Sequence, residues 1–126
     1  MKFLLSLILP FLFIACSNKV AIKSSSATIL IKTPTMKFYD KGFISKFNNF
    51  TQVQIYSAGK TLLDLKIYED KICQSTFECE SLESFNRKYL HKSYKAAFLK
   101  EIFENPNKEI IHRDRNNKIL IKIKKD

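Results

Sequence analysis

The chain has 126 residues, with 22 Lys or Arg against 12 Asp or Glu, so its formal charge is +10. That length limits it to one domain. Nineteen of the basic residues are lysines in a chain also rich in Ile, Asn and Phe. This is the bias of A/T-rich codons, so the charge alone is no signature of nucleic-acid binding.

Lys2 precedes an apolar run from Phe3 to Ala15, interrupted by Ser6 and Pro10, and Ser17, Asn18 and Lys19 end it sharply. About thirteen residues are too few for a spanning helix, which needs roughly 20. They match the hydrophobic region of a secretory signal peptide. The run closes on Phe13, Ile14, Ala15 and Cys16. Apolar, apolar, small, Cys resembles the lipobox of bacterial lipoprotein precursors, with Phe13 where that family prefers Leu. The resemblance implies that residues 1–15 are removed as signal peptide, that Cys16 carries a diacylglyceryl group, and that its new amino terminus is acylated. Two or more acyl chains hold stably where one holds only marginally. Ser17 stands where that family often has an inner-membrane retention Asp. In a two-membrane envelope the resemblance therefore favours the outer membrane, facing the periplasm or the surface. Cleavage removes Lys2 and lowers the charge from +10 to +9.

Residues 16–27 are polar, rich in Ser and Lys and without a period, and read as a lipidated tether. A single domain over 28–126 follows. ATILIKT alternates Ala27, Ile29 and Ile31 with Thr28, Leu30 and Lys32 up to Pro34, and Met36, Phe38 and Asp40 share one side of the next strand. Gly42 predicts a turn after it. TQVQIY places Thr51, Val53 and Ile55 opposite Gln52 and Gln54, the pattern of a half-buried antiparallel strand. SAGK then turns into TLLDLKIY, whose Leu63, Leu65 and Ile67 face inward.

Three cysteines in an exported chain leave one to be explained. With Cys16 assigned to lipid, Cys73 and Cys79 remain with five residues between them, and an oxidising compartment permits their disulfide. A reactive-thiol alternative lacks the CxxC spacing. A metal alternative finds only His91 and His112, neither at a zinc spacing from the pair. Beyond Cys79 the period lengthens: Leu82, Phe85, Tyr89 and Leu90 share one helical face behind Ser81 as N-cap. A second helix is predicted from Ser93 as N-cap, with Tyr94, Ala97, Phe98 and Ile102 as its stripe, ending at Asn105-Pro106. KEIIHR and KILIKIKK, joined by DRNN, predict a closing hairpin.

These elements predict an α+β domain: an antiparallel sheet of about six strands, in chain order ββββααββ, covered on one face by a two-helix hairpin. Phe38, Phe47, Phe50, Phe77, Phe85, Phe98 and Phe103 are assigned mostly to its core. The chain carries no GxSxG, HExxH or P-loop, and with two glycines it has no phosphate-cradling loop. Asp64, Glu69 and Asp70 are ordinary acidic neighbours near a strand end. No catalytic residue, metal site or cofactor is assigned, and an envelope hydrolase would need a cleft joining His91 or His112 to a carboxylate. Lys118, Lys122, Lys124 and Lys125 of the last strand are candidate membrane or partner contacts, although edge lysines also guard against aggregation. The expected function is non-enzymatic: a lipid-anchored envelope protein that binds another envelope component, a protein or lipid rather than nucleic acid. The alternative is a carrier of lipid or lipoprotein, because helices across a curved sheet resemble, in architecture alone, the lipoprotein-localisation acceptor family. An apolar cavity favours the carrier, and a solid core with an exposed apolar patch favours the binding module.

Overall fold

A computed structural model describes residues 21–75 and 77–126. Cys16 and the signal-peptide segment lie outside the described residues. Among the described residues the chain forms β1 (Lys23–Lys32), β2 (Lys37–Lys46), β3 (Thr51–Ser57), β4 (Lys60–Ile67), β5 (Lys71–Cys73) and β6 (Cys79–Ser81). It continues with α1 (Leu82–Tyr89), α2 (Phe98–Glu104), β7 (Glu109–Asp114) and β8 (Ile119–Lys125). All strands join one antiparallel sheet in the order β6-β5-β4-β3-β2-β1-β8-β7. None of the described helices is long and apolar enough to cross a membrane.

The expected six-strand sheet under a helical hairpin is corrected in three ways. The sheet has eight strands, because the chain around Cys73 and Cys79 folds back as the short ladder β5–β6. Three residues a side are too few to show a period, so that ladder left no pattern in the sequence. Second, α2 begins at Phe98, not after Ser93. The stretch before it is spoken for by other partners: His91 Nδ1 lies 2.8 Å from Ser93 Oγ, and the Lys95 carbonyl accepts from Asn86 Nδ2 at 2.9 Å. Third, the helices make no hairpin cover. α1 packs on β5 and β6, whereas α2 packs on β3. The Ser81 N-cap stands as expected, its Oγ accepting from the Ser84 N–H at 3.1 Å.

One face of the sheet is the core. Alternation on each long strand turns the same set inward: Ala27, Ile29 and Ile31, then Val53 and Ile55, then Leu63, Leu65 and Ile67, and finally Ile119, Ile121 and Ile123. Leu82 and Phe85 of α1 and Leu99, Ile102 and Phe103 of α2 join the same cluster. At about 4.8 Å between strands, an eight-strand sheet is far wider than two short helices can cover flat. A single cluster fed by strands from both edges requires the sheet to coil around it.

Gly42 shows how the coil is reached. It lies inside β2, opposite Ala27 on β1 and Ile55 on β3, and not in the expected turn. A Cβ there would meet the Gln54 carbonyl oxygen on the neighbouring backbone. Two small residues side by side let the sheet fold inward where bulk would hold the strands apart. β1 also starts at Lys23, inside the stretch read as tether. Its first four residues, Lys23 to Ser26, are all polar, so no apolar alternation announced it.

Candidate functional site

Alternation that fills one face empties the other. On the outer face of β2, β1, β8 and β7, the register lines up side chains in rows across four strands. One row holds Lys37, Lys32, Leu120 and Arg113; the next holds Tyr39, Leu30, Lys122 and Ile111; a third holds Lys41, Thr28, Lys124 and Glu109. Tyr39 is 68% exposed and Ile111 55%, and Phe43 is exposed further along β2. Six cations and an interleaved apolar set therefore share a surface that no other described element covers. Asp126 answers one of them through Lys41 at 2.9 Å, and Glu109 sits across the ladder from Lys124. Lys32, Lys37, Arg113 and Lys122 meet no carboxylate within ion-pair distance among the described residues.

The four lysines singled out in the sequence do not all lie on this face. Lys122 and Lys124 lie on this face. Lys118 sits in the β7–β8 turn with φ 57°, and Lys125 points its Nζ to the Asn105 carbonyl at 2.6 Å. Burial and the neighbouring Lys23 charge push the Lys125 amine down from its ordinary value. The sequence reading missed Lys32, Lys37, Tyr39, Ile111 and Arg113 because they are far apart in the chain. The period-two pattern of each strand was their available signal, and cross-strand register was needed to combine them.

Two other clusters serve structure. Tyr94 Oη donates to Asp114 Oδ2 at 2.7 Å and lies 2.8 Å from His112 Nε2, so the histidine must donate to the phenol oxygen. Burial, then the bond to Asp114, holds the phenol above its ordinary pKa. Asp114 is held below the usual carboxylate range by Asn117 first and Tyr94 second. His112 thus reaches a carboxylate through a neutral tyrosine, a latch that ties the α1–α2 connection to β7. His91 stays on Ser93. The acidic neighbours are also occupied separately, Asp64 by Gln52 Nε2 at 2.9 Å and Glu69 by Lys100 Nζ at 3.4 Å.

At the end of the sheet where β1 begins, a cleft of about 470 Å³ opens between the β2–β3 and β4–β5 loops and α2. Phe47 and Phe50 stack at 4.6 Å on one wall, and Glu69, Asp70 and Lys100 keep it polar. It is open to solvent and is not a lipid-sized apolar chamber. Of the phenylalanines assigned to the core, Phe85 and Phe103 are buried, Phe38 and Phe98 are partly so, and Phe77 is 94% exposed.

Cys73 and Cys79 are directly opposed across β5–β6 and form a disulfide. Closing so short a loop stabilises by about 2 kcal/mol through the entropy it removes from the unfolded chain. Reduction is therefore expected to lower the urea midpoint by that equivalent without unfolding the domain. Urea melts with and without dithiothreitol measure it, and coincident melts would remove the bridge from the stability of the fold.

Comparisons with protein-family models, with curated proteins and with solved structures each returned no match.

Proposed function

We propose that the chain is a small lipid-anchored protein of the bacterial envelope, held by Cys16 and acting without catalysis by binding another envelope component. The observation that carries the binding half is the outer face of β2-β1-β8-β7, where cations alternate with exposed apolar side chains beside a filled core. A lipid carrier would need interior apolar space. Here Ile29, Ile55, Ile121 and Ile123, each with no exposed surface, occupy the concave side of the sheet. The filled interior favours a surface that binds over a chamber that carries. For the anchor half, the support is the FIAC stretch with its short hydrophobic run, and Ser17 favours an outer membrane where two exist.

The test is made on the full-length gene product in a bacterium with a lipoprotein pathway. The amino-terminal peptide is expected to begin at Cys16 and to carry the mass of a diacylglyceryl group and an acyl chain. Behind an ordinary cleavable signal peptide, so that the apolar run is removed without the lipobox, Cys16→Ser is expected to shift the protein from the membrane to the soluble exported fraction almost completely, since the whole anchor is lost. An unmodified Cys16, or a Cys16→Ser protein still in the membrane and resistant to salt, would overturn the anchor.

A further inference from the structure

We infer that the occupant of the outer face is the anionic headgroup layer of the anchoring membrane itself, on which the β2-β1-β8-β7 half of the sheet lies. This rests on the lipid anchor proposed at Cys16. Three observations converge on it. First, five residues lie between Cys16 and Ile22, whose N–H donates to the Lys46 carbonyl of β2, and those six Cα steps span at most about 20 Å when fully extended. The start of β1, a strand of this half-sheet, is thus held within about 20 Å of the lipid, close enough for the half-sheet to lie down on the headgroups.

Second, the charge is complementary. The face carries Lys32, Lys37, Lys41, Arg113, Lys122 and Lys124 against Glu109 and Asp126. Basic side chains near an anionic leaflet strengthen attachment about fivefold each. Third, the apolar members have the character of an interfacial surface. Tyr39 and Ile111 are more than half exposed, and the row they share also contains Leu30 and Lys122. An amphipathic aromatic and aliphatic set beside lysines suits the boundary between headgroups and acyl chains.

The protein purified from membranes with its own amino terminus is reconstituted in phosphatidylcholine vesicles, with or without phosphatidylglycerol, and its lysines are acetylated and mapped by mass spectrometry. Lys32, Lys122 and Lys124 are expected to react several-fold more slowly when phosphatidylglycerol is present, while Lys60 and Lys95, which lie off this face, are unchanged. Equal labelling in the two vesicles, or protection centred on Lys60 or Lys95, overturns the inference. So does protection that appears only when a second envelope protein is added. The anchor is read independently: the mature protein with Cys16→Ser, exported behind an ordinary cleavable signal peptide, is sedimented with phosphatidylglycerol vesicles beside the same chain also carrying K32Q, R113Q, K122Q and K124Q. Weaker partition of the second chain, by about fivefold per removed cation, supports the face even if Cys16 proves to carry no lipid. Equal partition of two chains with matching thermal melts rejects it even if the anchor is real.

Discussion

Replacing Gly42 with alanine is expected to cost about 2–3 kcal/mol, near the upper end of the overpacking range, and valine more. The reason is backbone, not side chain. The added Cβ falls on the Gln54 carbonyl oxygen of β3, which cannot rotate away as a side chain would. β2 and β3 must then part where five residues of each are paired. A domain of this size is stable by only about 5–15 kcal/mol, so the alanine chain should melt well below its parent and the valine chain should be largely unfolded. Were Gly42 in a surface turn, the same alanine would change stability by at most about 1 kcal/mol. Thermal or urea melts of the two variants separate these cases, and an alanine melt coincident with the parent would mean that the strands yield freely.

The second large effect is expected at Phe85. This ring is 1% exposed, lies on the buried face of α1 above β5 and β6, and meets Tyr89 at 4.7 Å between centroids. Phe85→Ala removes the transfer energy of the ring and leaves a cavity that a two-turn helix cannot collapse into, so the cost is about 3–5 kcal/mol. Phe85→Leu keeps most of the volume and should cost under about 1.5 kcal/mol. The matched control is Phe77→Ala, at a ring 94% exposed in the β5–β6 connection, where the change stays within about 0.5 kcal/mol. Urea midpoints of the three variants measure the contrast. A Phe77→Ala loss as large as that of Phe85→Ala would place both rings in the core.

That pair of phenylalanines marks the limit of pattern reading. Phe85 belongs to a helical stripe with Leu82, Tyr89 and Leu90, so its neighbours in the chain announce its burial. Phe77 lies between two cysteines with no period around it, and its hydrophobicity alone pointed the wrong way. The short β5–β6 ladder was hidden for the same reason, although the cysteine spacing that frames it was visible and the disulfide follows from it. Gly42 was misread because a glycine in a turn and a glycine that lets two backbones approach look alike until the neighbouring strand is known.

β3, β4 and the closing β7–β8 hairpin, the Ser57–Lys60 hairpin turn and the Ser81 cap were legible because each depends on residues within a few positions of one another. The eight-strand order, the separate seats of α1 and α2, and the outer face that joins Lys37 and Tyr39 to Arg113 and Ile111 were not legible. Periodicity reports which way a side chain points within its own strand. Which strand lies beside it is set by long-range register, and that register emerges only when the buried faces of all the strands close on one core.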